Sequence, residues 1–288
     1  MKNIKDYFEQ AKKQHFALGA FNAGNLETIK AIVQAGVKLK APVIIESSHG
    51  ETSFFGSKRL VDVIRDFRAE LNHPIFLNLD HAPTLKDSEI AIQDGYDLIH
   101  FDGGAISFDE NVEITKQLTK KAHDKGLLIE GEIDRIGGSS TAHFAERVEE
   151  VQTLVYKTGP QKAAEFVKKT GVDTFAVAIG NVHGIYHEAK RLDLELLEKI
   201  AQAIPKTFLS LHGGSGIPAD DIKEALQLNI VKINVNSELR VAYRRALEAS
   251  LEQNPASFAI YEYMKGVVEV VQSVVEGKIR MFGSEGKV

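Results

Sequence analysis

Short apolar runs rich in Val, Ile, Leu and Phe recur along the chain, each followed by a stretch whose apolar residues repeat at helical spacing. Such alternation predicts parallel strands joined by crossover helices. Eight strands are predicted, over residues 16–22, 42–48, 75–80, 98–102, 127–133, 174–180, 208–212 and 230–236. Several read as nearly continuous apolar runs, as strands buried on both faces do. Asn25-Leu-Glu and Pro218-Ala-Asp-Asp mark helix starts, the second followed by Ile222, Ala225 and Leu226. Eight strand–helix units close most naturally as a (β/α)8 barrel of the TIM type, with an open doubly wound sheet as the competing arrangement. Two helices fall outside the units, an N-terminal one over 4–13 and a C-terminal extension over 257–276. No Pro-rich linker, low-complexity segment or short-period repeat divides the chain, so residues 1–288 are read as a single domain.

Composition narrows the chemistry. A chain of 288 residues with 43% hydrophobic content can bury a large core, and its net charge of −5 argues against a nucleic-acid partner. Any anion must therefore be captured locally. With no cysteine there is neither a disulfide nor a thiolate site, so a transition metal has only His, Asp and Glu to draw on. The first residues lack the apolar core of a signal peptide, and no apolar run approaches the roughly 18 residues of a membrane span. A cytoplasmic location without membrane contact is expected.

In a barrel the active site lies at the carboxyl ends of the strands. Polar residues gather there: Ser48 after the second run, Asp80-His81 after the third, Asp102 and Glu132 after the fourth and fifth. His183 follows the sixth, His212 ends the seventh, and Asn234 and Asn236 end the eighth. His81, His183 and His212, brought together by closure, would make a three-imidazole zinc site with an open fourth position. Asp80 is either a general acid or base beside that metal or the partner that orients a ligating histidine. Asp102 and Glu132 are candidate oxygen ligands for the metal or a second cation, or else a helix cap and an ion-pair member. His15, His73, His100, His123 and His143 lack this placement as a set and are expected on the surface or in supporting roles. The segment Leu211-His-Gly-Gly-Ser-Gly-Ile-Pro218 leads into a helix start after the seventh strand, the habitual phosphate site of barrels, where backbone N–H groups can approach an anion.

Four blocks together resemble the signature of the class II fructose- and tagatose-bisphosphate aldolases: Leu79-Asp80-His81, residues 177–186 (VAIGNVHGIY), residues 211–218 (LHGGSGIP) and residues 232–238 (KINVNSE). The likeness runs from Phe21-Asn22 to Phe282-Gly-Ser284, almost the whole chain. The resemblance implies zinc on His81, His183 and His212, a catalytic Asp80, and a second or alternate cation position, divalent or monovalent, at Asp102 and Glu132. It implies that Asn22, Ser48, Gly184, Gly213, Gly214, Ser215, Asn234, Val235, Asn236 and Ser237 bind the sugar phosphate. The implied reaction is reversible aldol cleavage of a ketose phosphate, foremost fructose 1,6-bisphosphate, to dihydroxyacetone phosphate and an aldehyde. A homodimer or tetramer is the family expectation, with no nicotinamide or pyridoxal cofactor.

Three positions depart from the family pattern. The mobile-loop glutamate aligns with Ser140, which points to Glu149 or Glu150 in the longer loop as the proton carrier, ahead of Glu146 and His143. A lysine after the His-Gly-x-Tyr block is His187 here, and the arginine for the phosphate of the aldehyde half aligns with Tyr261. Tyr cannot supply that charge, so Arg135, Lys190, Arg191 and Arg240 become candidates for it. Tagatose bisphosphate, or another ketose phosphate whose aldehyde half lacks a phosphate, is the alternative substrate; a non-catalytic sugar-phosphate-binding paralogue is the alternative to an enzyme.

Overall fold

A computed structural model describes residues 2–153, 156–253 and 255–288. Its strands are β1 (Leu18–Asn22), β2 (Val43–Ser48), β3 (Ile75–Ala82), β4 (Leu98–Asp102), β5 (Leu128–Glu132), β6 (Thr174–Ala176), β7 (Phe208–Leu211) and β8 (Ile230–Val235). The helices are α1 (Ile4–Gln14), α2 (Leu26–Leu39), α3 (His49–Phe55), α4 (Ser57–Leu71), α5 (Leu85–Asp94), α6 (Phe108–His123), α7 (Val148–Thr153), α8 (Pro160–Thr170), α9 (Leu194–Ala203), α10 (Ala219–Gln227), α11 (Ser237–Gln253) and α12 (Ile260–Met281). The strands pair in sequence order, and β8 returns to lie parallel to β1. The barrel is closed, which excludes the open sheet.

Boundaries differ from the sequence reading where loops begin to serve the upper rim. β6 stops at Ala176, short of 180; the chain then turns out of the ladder, and Gly180 adopts φ 95°. β3 instead runs on through His81 to Ala82 and shifts register against β4. The connections after β2 and β5 each hold two helices, and the C-terminal helix runs over 260–281 instead of 257–276. No helix among the described residues is long and apolar enough to cross a membrane.

Alternation along the strands sorts the side chains into two cores, since residues two apart share a face. Phe21, Ile45, Leu77, Ile99 and Ile129 face the helices and join the main apolar core. The other face lines the barrel interior and changes character with height. At the bottom, Leu18, Ile44, Phe76, Leu98 and Leu128 cluster with Phe8 and neighbouring residues of α1, which plugs that end. Two residues further along the strands come Glu46, Asn78, His100, Glu130 and Ser210, joined by Lys232, every one fully buried. Another two residues bring Ser48, Asp80, Asp102 and Glu132 to the top. The barrel is greasy at its base and charged from its waist upward.

The plug is built around Phe8, fully buried and edge-on to Phe208 with ring centroids 5.4 Å apart. Phe8→Ala should cost about 3–5 kcal/mol, the usual scale for an aromatic cavity, read as a lower denaturant midpoint at unchanged metal content.

Candidate metal and anion site

The site begins with a strained residue. His81 lies in the left-handed region at φ 47°, a conformation that costs a non-glycine residue roughly 1–2 kcal/mol. Its amide is held there by a bond to His100 Nδ1 at 3.1 Å. His100, expected from the sequence to be peripheral, is instead fully buried at the centre of the barrel. Because its Nδ1 accepts that amide proton, His100 supports the end of β3 and sits in the same cluster as Asp80, His81 and His212, whose potential ligand atoms lie within 4.8 Å of one another.

Each central histidine is gripped from behind by a carboxylate. His81 Nδ1 is 2.9 Å from Asp102 Oδ2, and His212 Nε2 is 2.6 Å from Glu130 Oε1. Ionised carboxylates only accept, so each ring carries its N–H on the carboxylate side. That leaves the lone pairs of His81 Nε2 and His212 Nδ1 facing each other 3.0 Å apart. Two facing lone pairs repel unless a proton or a cation joins them, and nitrogen donors with carboxylate partners behind them are the usual setting of a bound transition metal. The ring of His183 lies alongside, 5.1 Å from that of His81 and 6.4 Å from that of His212, but outside the groups of mutually close ligand atoms. Burial, reinforced by nearby His81, pushes its pKa down to about 3, so it is a neutral donor. The residues fit a divalent cation. His81, Asp102 and Glu132 form a second group of mutually close ligand atoms.

Below this level lies a buried ionic chain. Lys232 Nζ is 2.9 Å from Glu46 Oε1 and 3.1 Å from Glu130 Oε2, and Asn78 donates to Glu46 Oε1 at 2.7 Å. Burial raises the Glu130 carboxyl, but Lys232 and the neighbouring histidines outweigh it and hold the group well below the usual carboxylate range. Glu46 answers the other way, pushed up by burial to about 8 in spite of Lys232. The sequence reading missed Glu46, Glu130, Lys232 and His100 because polar residues inside apolar runs were not followed at their spacing of two.

A cavity of about 350 Å³ opens above the histidines. Asp80 borders it with Oδ1 3.9 Å from both facing nitrogens, beyond ligand distance but beside the metal position. Asn22 donates to its Oδ2 at 3.0 Å and Asn234 to its Oδ1 at 3.2 Å. Burial opposes ionisation of Asp80, yet His81, His100 and His212 around it keep its pKa well below the ordinary value. Gly184, Gly213, Ser215, Asn236 and Ser237 line the same cavity, as do Asn22, Ser48 and Asn234. Gly214 and Val235 lie behind the wall: the Gly214 amide donates to Asn234 O at 2.8 Å, and a Cβ on Gly214 would come within 2.6 Å of Ile233 Cγ2. Glu132 is also behind it, its Oε1 accepting from the Ile136 amide at 3.3 Å.

Glu149 and Glu150 are not brought to this cavity. They sit in the first turn of α7, where Glu149 pairs with Arg147 at 3.3 Å and borders a separate surface groove. Of the cations named from the sequence, Arg135 and Arg240 line the cavity, whereas Arg191 pairs with Asp221. Arg240 donates to Glu51 Oε1 at 2.7 Å, and Glu51 in turn accepts from Asn22 and Ser48. Tyr261 stands 79% exposed in the first turn of α12, and His187 lies against the Phe144 ring.

Fold and site together define a barrel enzyme with a histidine-rich cation site beside loops shaped for an anion. Residues 2–287 match the family model of the class-II fructose-bisphosphate aldolases, and the chain belongs to that metal-dependent family of lyases. It is 35% identical over 283 residues, 98% of this chain and 96% of the other, to a sulfofructosephosphate aldolase of Alkalicoccus urumqiensis. Among solved structures it resembles the YdjI aldolase of Escherichia coli K12, at 28% identity and a TM-score of 0.81 over 99% of this chain and 98% of that one. A candidate fructose-1,6-biphosphate aldolase of Coccidioides immitis is similar at 27% identity and a TM-score of 0.85, over 99% and 97%.

His212→Ala removes one facing nitrogen and leaves Glu130 without its imidazole partner. Metal content after dialysis into buffered zinc should fall from near one equivalent to a small fraction, measured by elemental analysis; full retention would take His212 out of the site.

Proposed function

We propose that the protein is a zinc-dependent aldolase that reversibly cleaves a ketose 1-phosphate to dihydroxyacetone phosphate and an aldehyde. The observation that carries this reading is the pair of facing imidazole nitrogens at 3.0 Å, with ionised Asp80 beside them and loop glycines lining the same cavity. When bound there, zinc polarises the ketone and stabilises negative charge developing on its oxygen. His81, His183 and His212 hold it, and Asp102 and Glu132 supply an alternate cation position. Asp80 moves the proton at the aldehyde oxygen, its carboxylate fixed by Asn22 on one side and Asn234 on the other. Gly184, Gly213, Ser215, Asn234, Asn236 and Ser237 hold the phosphate of the triose half, with Gly214 and Val235 supporting the wall behind them; Ser237 opens α11, whose N-terminus favours an anion.

Proton transfer at the triose carbon is assigned to Glu149 or Glu150. Either reaches the substrate only if the segment bearing α7 closes over the cavity, which barrel loops do on binding. With each changed singly to Ala, the variant that lacks the carrier should lose exchange of that C–H with heavy water together with cleavage, and the other should keep both. Retained exchange in both variants would transfer the role to the His143–Glu146 pair, whose Nδ1–Oε1 contact is 2.7 Å.

Two substrates suit a cavity with Arg240 and Arg135 at its edge: fructose 1,6-bisphosphate, and a ketose phosphate ending in another acidic group. The 35%-identical relative favours the second, with sulfofructose phosphate the specific candidate. The loss of the family arginine at Tyr261 supports the same choice. Turnover of both compounds by the zinc-loaded enzyme, before and after chelation, tests the reading. Zinc-dependent cleavage of either supports an aldolase, and their kcat/KM ratio assigns the terminal group. Undiminished turnover by metal-free protein would refute it. Asp80→Ala should lower kcat by roughly 10²-fold or more while leaving zinc content near normal, as expected for a lost acid–base group.

A further inference from the structure

Lys190 is fully buried, and no step above uses it. It lies in the β6–α9 connection, yet its ammonium turns inward to three main-chain carbonyls: Val182 O at 2.9 Å, Gly184 O at 3.1 Å and Gly213 O at 2.6 Å. Val182 and Gly184 flank His183, and Gly213 follows His212. One charged group thus grips the backbone beside two of the histidines, across two different loops. The amides on the far side of these peptides are also fixed. His183 N donates to Gly137 O, Ile185 N to Thr141 O and Gly214 N to Asn234 O, at 2.8, 3.0 and 2.8 Å.

Three carbonyl oxygens around one positive centre form the kind of cage in which backbone dipoles replace the hydration shell of a monovalent ion. An ammonium fills it with three N–H donors for three acceptors, whereas a neutral amine has only two N–H groups to offer. Burial, with Lys278 adding to it, brings this lysine down to about 7 although Glu238 opposes the fall, and the three carbonyl acceptors are matched only by the ammonium form. Glu238 itself ties the neighbouring backbone, accepting from the Gly216 amide at 2.8 Å and from Lys278 at 2.7 Å. No close side-chain anion neutralises Lys190 among the described contacts. Its charge therefore stands behind Gly184 and Gly213, which line the cavity where the substrate phosphate is proposed to sit.

We propose that Lys190 is a built-in monovalent cation, a positioning residue that joins the His183 and His212 loops and lends positive charge to the anion-binding end of the cavity in place of a diffusible ion. Its kinetic readout rests on the aldolase reading above; its thermal readout does not. Lys190→Ala opens the cage, while Lys190→Met removes the charge but keeps the stem in place.

The experiment uses full-length zinc-loaded protein in sodium, potassium, ammonium or tetramethylammonium chloride at one ionic strength, recording substrate KM, kcat and melting temperature. The wild type should be indifferent to the cation. Lys190→Ala should show KM raised by roughly tenfold or more, with most of the loss recovered in potassium or ammonium but not in tetramethylammonium. Its melting temperature without substrate should rise with the same ions. Lys190→Met should share the defect and resist rescue, because its side chain blocks the cage. A wild type stimulated several-fold by one particular cation would overturn the proposal, and that result needs no folded variant. A Lys190→Ala enzyme with unchanged KM, or equal rescue by all four salts, would overturn it too. If neither sugar phosphate is cleaved by any form, the substrate reading fails, while cation-specific melting still decides the role of Lys190.

Discussion

Two imidazole nitrogens held 3.0 Å apart with their lone pairs converging are the constraint on which the upper barrel depends. The arrangement is unfavourable on its own, and it is maintained from both sides. Asp102 and Glu130 fix the two rings, His100 fixes the strained backbone of His81, and Asn234 touches both His212 Nδ1 and Asp80. A pre-set geometry of this kind suits a cation that joins the two nitrogens, a proton or a divalent metal ion. The same arrangement leaves Asp80 ionised 3.9 Å from both nitrogens, beside the point between them and not within ligand distance of it.

Holding carboxylates so deep requires compensating charge. Glu46 and Glu130 share Lys232 in a part of the barrel with no solvent contact, where an unpaired ion would cost several kcal/mol. The wholly apolar layer beneath, closed by Phe8 and the rest of α1, keeps water from entering below. Charge is therefore layered: Lys232, Glu46, Glu130 and His100 share the waist of the barrel, and His81, His212, Asp80 and Asp102 lie above them. Removing Lys232 would leave the Glu130 carboxylate uncompensated and loosen the orientation of His212.

Much of this was legible in the sequence. Eight apolar runs each followed by helical periodicity led to the closed barrel, and the residues ending those runs placed His81, His183, His212 and Asp80 at one rim. Less legible was the inner polar layer. Leu98-His100-Asp102 and Leu128-Glu130-Glu132 carry it at a spacing of two, but the intervening apolar residues give the strands the look of continuous hydrophobic runs. Lys190 was invisible as a structural residue for a different reason. Its partners are backbone carbonyls, which any sequence supplies, and only the folding back of two loops gathers three of them around one ammonium. Glu149 and Glu150 suited the substrate site by their place in the chain, but both sit in the first turn of the local helix α7 away from the cavity, Glu149 bordering a separate groove.

Zinc K-edge X-ray absorption on the loaded protein tests the central claim most directly. The facing-nitrogen geometry predicts one zinc per chain with three imidazole ligands at about 2.0–2.1 Å, falling to two in a His183→Ala variant. A spectrum dominated by carboxylate oxygen with no imidazole scattering would contradict the account.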